Sequence, residues 1–266
     1  MKYFFFIVIV VCYSMSEPLK KKTKAFVHKK RYKHPNIFWN RKKAFQCFVY
    51  RYKGLKDQKL IGAYRLIKSW YFPNFHFCKS KKGKGAKGGI HRSLDRAKKL
   101  GSRVDREMTY WTKYKKMCRK PHRYSRQLYN IFEQMKWKPI AAQQAVGLPE
   151  HKVATAFDLL MEDSKKNLIL VDVKTGYESH WDASDGQKLE SPPLQDLPSS
   201  CETHSWLQLA LTAILFTANN LQYCESHPLK KLHIVRTARD GVRIYGMPPY
   251  LERVLDDLKK KLLKRR

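Results

Sequence analysis

Asp158, Asp172 and Lys174 are the residues of this chain whose types and spacing point most directly to chemistry. They lie within residues 154–176, ATAFDLLMEDSKKNLILVDVKTG. The apolar, β-branched residues 153–161 and the continuous apolar run Leu168, Ile169, Leu170, Val171 read as two strands, the second buried on both faces. Asp163, Ser164, Lys165, Lys166 and Asn167 supply turn chemistry between them. Side chains alternate along a strand, so Asp172 and Lys174 share one face and Val173 takes the other. With the hairpin centred on Lys165, Asp158 lies directly across from Asp172, the Cβ atoms roughly 4.5–5.5 Å apart. Two carboxylates that close repel unless positive charge sits between them. A hydrated divalent cation meets that need, and hard oxygen ligands suit magnesium or manganese. The Lys174 ammonium beside them is placed to hold an attacking water or to stabilise a charged phosphate. Register decides the matter: a slip of one residue moves Asp158 to the opposite face.

Taken singly, each residue has an ordinary explanation. A strand-end aspartate caps a turn, and a strand-end lysine is a solvated charge. Together, two acids and a lysine converge beside a strand too apolar to tolerate unpaired charge.

Asp158, followed by Asp172-Val173-Lys174-Thr175-Gly176 ending a buried strand, resembles the PD-(D/E)XK nuclease superfamily. The Asp-x-Lys-Thr-Gly ending is most similar to its RecB-like and phage-exonuclease-like branch. Phe157 stands where a proline often precedes the first acid. The resemblance runs from about Leu94 to about Met247. It implies an α/β restriction-endonuclease-like core, with a central mixed β-sheet flanked by helices, preceded here by a basic N-terminal extension. It further implies magnesium-dependent (or manganese-dependent) hydrolysis of DNA phosphodiester bonds, as an exonuclease in recombination, repair or replication. On that resemblance Asp158, Asp172 and the backbone carbonyl of Val173 hold the metal, and Lys174 is catalytic.

Two helices must bring further groups. Over residues 93–116 the stripe Ala97, Leu100, Val104, Met108, Trp111 predicts an amphipathic helix with Ser93 as N-cap. Glu107 projects from its buried side, where an acid needs a reason. In RecB-like nucleases a helix before the core sheet lends a Glu or His to the metal site, and residues 101–107, GSRVDRE, resemble that motif. Asp105 stands where the relatives often have His, so either Asp105 or Glu107 is the helix ligand, the stripe favouring Glu107. An ion pair with Arg103 or Arg106 is the competing explanation. After the second acid, residues 204–221 form a strongly apolar helix with Gln208, Thr212, Leu215 and Asn219 on one stripe. Gln208 resembles the relatives' helix glutamine, and a buried amide needs a partner. Lys174 or a scissile phosphate would serve, as would loop backbone. Lys84, Lys87, Arg103, Thr175 and Tyr177 are the expected substrate contacts.

The chain has 266 residues with 55 Lys plus Arg against 22 acids, a formal charge of +33. That excess calls for a polyanionic partner, DNA first and an anionic membrane surface second. With 43% apolar and 13% aromatic residues a core can still form. The six cysteines are scattered, with no C-x-x-C pair and none beyond Cys224. Neither a zinc ribbon nor the iron–sulfur cluster of some RecB-like nucleases is expected.

Three segments follow from composition. Residues 1–16 hold an apolar run too short to span a bilayer comfortably, read as a signal-like leader, a translation artefact before Met15, or a short buried strand. Residues 17–90 are a basic, aromatic extension with Phe38, Trp39, Tyr64, Trp70, Tyr71 and Phe72 among its rings. These are read as a small core in preference to a base-stacking platform. The stretch 80–89, SKKGKGAKGG, lacks P-loop spacing and marks a boundary before the nuclease domain of residues 91–266. Residues 177–201 read as a polar insertion able to act as a lid, with His180 and Trp181 near substrate. Partners would include DNA and other replication or recombination proteins, with no stable membrane span. The compartment would be the nucleus or another DNA-containing one, with mitochondrial or secreted alternatives. A non-catalytic basic nucleic-acid-binding protein, or a structural basic protein of a virus or chromatin, would satisfy the charge without the acids. A structure-specific endonuclease would satisfy both.

Overall fold

A computed structural model describes residues 37–41, 48–52, 58–73, 87–176, 181 and 188–265. Eight strands form one mixed sheet: β1 (Ile37–Arg41), β2 (Phe48–Tyr52), β3 (Gln58–Gly62), β4 (Lys138–Leu148), β5 (Val153–Glu162), β6 (Leu168–Thr175), β7 (Leu229–Ala238) and β8 (Gly241–Tyr245). Six helices accompany them: α1 (Ala63–Tyr71), α2 (Lys87–Tyr114), α3 (Arg123–Gln134), α4 (Cys201–Asn219), α5 (Leu221–Ser226) and α6 (Leu251–Leu263). The architecture is α/β, a mixed sheet flanked by helices on both faces.

Strand alternation sorts the two faces. Leu159, Met161, Ile169 and Val171 pack against Val104, Met108 and Trp111 of α2 and Leu128 and Phe132 of α3. Leu160, Leu168 and Leu170 join the larger core under α1, α4 and α6. Asp172 and Lys174 alternate with Val171 and Val173 and so stand on the face of Leu168 and Leu170, but the alternation breaks beside Asp158, where Phe157 and Leu160 enter the same core. Rotation of α4 against the sheet is set by Asn219. Its Nδ2 donates to the Gly147 carbonyl and its Oδ1 accepts from the Gly147 N–H, both at 2.8 Å.

The strand order makes a gap. One edge of β5 is covered by β4 along its length, Lys138 pairing with Glu162 and Leu148 with Val153. The other edge is divided. Parallel β3 takes Val153 and Ala154, and antiparallel β6 takes Leu159 to Glu162. Residues 155–158 have no strand partner on that side, and there the hairpin opens.

The element boundaries differ from expectation in two ways. The N-terminal extension is not separate from the α/β core among the described residues. β3 pairs with β5, and Ala63, Leu66, Ile67, Tyr71 and Phe72 are buried in the larger core. The rings at 71 and 72 are therefore core, and a boundary near residue 90 does not divide the fold at 58–73. Apolar residues at i, i+3, i+4 and i+8 of α1 explain this, since a helix with such a stripe must bury it. Secondly, α2 begins at Lys87, so Ser93 lies inside the helix and does not cap it. In the insertion, Trp181 is buried against Tyr245 with ring centroids 5.2 Å apart, and Leu189, Leu194 and Leu197 enter the same core. The described residues of that stretch, 181 and 188–201, are anchored in the core; residues 177–180 and 182–187, with Tyr177 and His180, lie outside the described part.

Helix α2 crosses the end of β6 at Gly101, where an added Cβ would sit 3.3 Å from Thr175 Oγ1. Gly101→Val should lower unfolding free energy by about 1–3 kcal/mol through overpacking. Thr175→Ala introduced in the same chain should recover part of that loss in denaturant titrations. Equal losses with and without Thr175→Ala would show that the contact does not set the crossing.

Candidate active site

The site lies at the mouth of the gap in the sheet. The observed pairs from Leu159–Val171 to Glu162–Leu168 are centred on Lys165, and the next step brings Asp158 opposite Asp172. In place of a further backbone rung, the carboxylate of Asp158 enters the opening. Its Oδ2 accepts the Val173 N–H at 2.9 Å and its Oδ1 accepts from Gln143 Nε2 at 3.0 Å. The orphaned amide of a splaying strand and the acid therefore satisfy each other.

Lys174 Nζ lies 2.7 Å from Asp172 Oδ2, an ion pair largely shielded from solvent. Asp172 itself is buried, at 7% exposure. The negative charge is only partly balanced. Burial first, then the charges of Asp172 and Asp105, push the Asp158 carboxyl well above the ordinary carboxylate range, against the opposing pull of Lys174 and the Val173 N–H. The arrangement therefore concentrates more carboxylate than its lysine neutralises. Such a donor set suits a hard cation.

Of the two candidate ligands on α2, Asp105 and Glu107, Asp105 is the one whose charge reaches Asp158. Glu107 faces elsewhere. Its Oε1 takes the Arg103 Nε at 2.7 Å and its Oε2 accepts the His122 backbone N–H at 2.8 Å. Burial opposes ionisation of Glu107, but the bonds from Ser125, Arg103 and His122 outweigh it and hold the carboxyl below its usual value. Glu107 is buried because it receives the start of α3, which explains why an acid sits on the apolar stripe. Asp105, two residues earlier, is the alternative the sequence left open, and its charge acts on Asp158. Arg103 is likewise engaged: besides Glu107 it donates to the Lys120 carbonyl at 3.3 Å, tying α2 to the segment before α3. An i,i+4 ion pair accounts for its position without a substrate.

Helix α4 supplies the opposite wall. Gln208 is half-buried and shares the sheet-facing stripe with Thr212 and Asn219. One turn earlier, His204 is buried between the rings of Tyr64 and Phe72, with centroids at 4.9 and 5.2 Å. Burial, then the charges of Lys174 and Lys68, push its pKa down to about 3, so it is a neutral imidazole near Lys174. Thr175 is half-buried beneath Gly101. Lys84, Tyr177 and the side chain of Lys87 lie outside the described residues.

Sequence reasoning missed Gln143 and His204. Nothing local marks Gln143, which follows two alanines in an ordinary strand. His204 stands four residues before Gln208, a helical spacing that was available but carried no chemical signature. Among the described residues no group of three or more His, Cys, Asp or Glu side chains is clustered as a metal site, and no helix is long and apolar enough to cross a membrane.

No family model matches the chain, and no curated protein matches it. Among solved structures it is similar to the crystal structure of SSO0001, at 14% identity and a TM-score of 0.26. That match spans 52% of this chain and 56% of the other, about half of each. A likeness of this size carries no assignment.

Two measurements test the electrostatics. An acid whose folded pKa is raised destabilises the native state at pH values above that pKa. Asp158→Asn should therefore raise unfolding free energy at neutral pH by about 1 kcal/mol, within the usual range for relieving functional strain. A loss of stability instead would show that the carboxylate is well compensated. For His204 the folded pKa lies below the ordinary 6.5. As pH falls below 6.5 the unfolded chain takes a proton that the folded chain refuses, so stability drops by up to about 1.4 kcal/mol per pH unit. His204→Phe should flatten the fall in melting temperature between about pH 7 and pH 5, and an unchanged slope would remove His204 as its source.

Proposed function

We propose that the chain is a metal-dependent DNA nuclease of restriction-endonuclease-like fold, acting as an exonuclease in DNA recombination, repair or replication. The observation that carries this reading is the Asp158 carboxylate held by the Val173 N–H beside the Asp172–Lys174 ion pair. Magnesium keeps several waters and is commonly held by one or two carboxylates together with substrate phosphates. Asp158, Asp172 and the Val173 carbonyl would hold it, with Asp105 close enough to add charge or a water-mediated contact. When bound, the cation supplies Lewis-acid polarisation of the scissile phosphate and acidifies the attacking water.

The remaining work falls to the chain's own groups. Lys174, paired with Asp172, orients the water or a non-bridging phosphate oxygen through its other protons. Gln208 lines the α4 wall one turn from His204, where its amide can meet phosphate. Neutral His204 adds no charge next to Lys174. The formal charge of +33 draws the polyanion in without selecting sequence.

That charge also favours a second reading, a basic nucleic-acid-binding protein without chemistry. Incubation with end-labelled linear and covalently closed circular DNA, in magnesium or chelator, separates the two. An exonuclease degrades the linear DNA alone and only with metal; cutting of the circle indicates an endonuclease. Asp158→Ala, Asp172→Ala and Lys174→Ala should each reduce cleavage by about a hundredfold or more, with salt-sensitive DNA binding retained. Firm binding with no metal-dependent product from the unaltered chain would establish the binding-protein reading.

A further inference from the structure

Gln143 is unusual in backbone as well as in contacts. Among the described residues, five non-glycine residues have positive φ: Lys115, Lys136, Gln143, Lys152 and Lys166. Lys115 follows α2, Lys136 follows α3, Lys152 ends the short 3-10 turn Pro149–His151, and Lys166 lies in the β5–β6 turn. All four sit where the chain reverses or a helix stops, places that ordinarily call for this conformation. Gln143, at φ 49°, lies inside β4, with Ala142 paired to Leu159 before it and Gln144 to Phe157 after it. Its own register position is thus opposite Asp158. Left-handed backbone within a strand is disfavoured for a residue with a Cβ, and such outliers persist where the surroundings impose them. Here the consequence is visible: the amide Nε2 reaches Asp158 Oδ1 at 3.0 Å, while the Val173 N–H holds Oδ2 from the other strand at 2.9 Å.

Resting on the nuclease reading above, we propose that Gln143 is the positioning residue for Asp158, its strained backbone aiming an amide donor that, with the Val173 N–H, fixes the carboxylate in one orientation toward the cation. A carboxylate accepts more than one bond per oxygen, so both donors leave lone pairs for a metal. Two donors on separate strands also remove the carboxylate's rotation about its Cβ–Cγ bond. Partners that orient ligands in this way typically change metal affinity or activity by about 10–100-fold when removed. Glutamine has the reach and the neutral donor that the position needs. An ionised glutamate could only repel Asp158, and a lysine would compete with the cation.

The test is isothermal titration of calcium and magnesium into the full-length protein without DNA, accompanied by the melting temperature of the metal-free protein. Gln143→Ala removes the donor and keeps the strain; Gln143→Gly removes both, since glycine adopts positive φ freely. Both variants should bind the cations about tenfold or more weakly than the unaltered chain. Gln143→Gly should melt at or above the temperature of Gln143→Ala. Affinity that recovers in the glycine variant would assign the role to backbone strain alone and overturn the proposal, as would unaltered affinity in both variants. An unaltered chain that binds no divalent cation and cleaves no DNA would remove this proposal together with the nuclease reading. Binding and cleavage by the unaltered chain with tight-binding variants would remove the proposal alone.

Discussion

The hydrogen bond from the Val173 N–H to the Asp158 carboxylate is the interaction on which the site depends. A β5–β6 ladder that continued would fill this place with a backbone rung, and Asp158 would be one more cross-strand side chain. The ladder stops because β5 must give its edge to β3 at Val153 and Ala154 and to β6 only from Leu159 onward. An amide left open by that division needs an acceptor, and an acid needs a donor. Each is satisfied by the other, and the polar opening exists inside an otherwise apolar layer because of it.

The charges at the opening explain why its walls are built as they are. Burial first, then the charges of Asp172 and Asp105, push the Asp158 carboxyl up. The surrounding groups are arranged to avoid worsening either sign. His204 is kept neutral between Tyr64 and Phe72, and Glu107 is drawn off to Arg103 and the His122 amide. Gln143 contributes a donor without a charge.

The basic N-terminal stretch has two physical characters. Its described end, β3 and α1, is part of the core: β3 extends the sheet, and α1 places Tyr64 and Phe72 against His204. Loss of that end would therefore disturb the α4 wall of the site as well as the sheet. The tie between α1 and α6 points the same way, since the Tyr71 hydroxyl donates to the buried Asp257 carboxylate. Its high lysine content, by contrast, acts through long-range attraction, which needs no particular fold.

The α/β class, the three successive strands β4 to β6, the centring of the hairpin on Lys165 and the shared face of Asp172 and Lys174 were determined by the sequence alone. They follow from local rules: period-two alternation, turn residues of fixed type, and the direct geometry of a short hairpin. What the tertiary structure decided depends on contacts distant in sequence. Whether Asp105 or Glu107 turns toward the opening is set by the start of α3, which claims Glu107. Whether residues 58–73 stand apart or complete the sheet is set by an edge of β5 nearly a hundred positions away. Gln143 becomes part of the site only because a left-handed backbone turns it across the strand to Asp158, fifteen residues on. Strand and helix periods carry no information about such pairings, since they report which face a side chain takes and not what that face will meet.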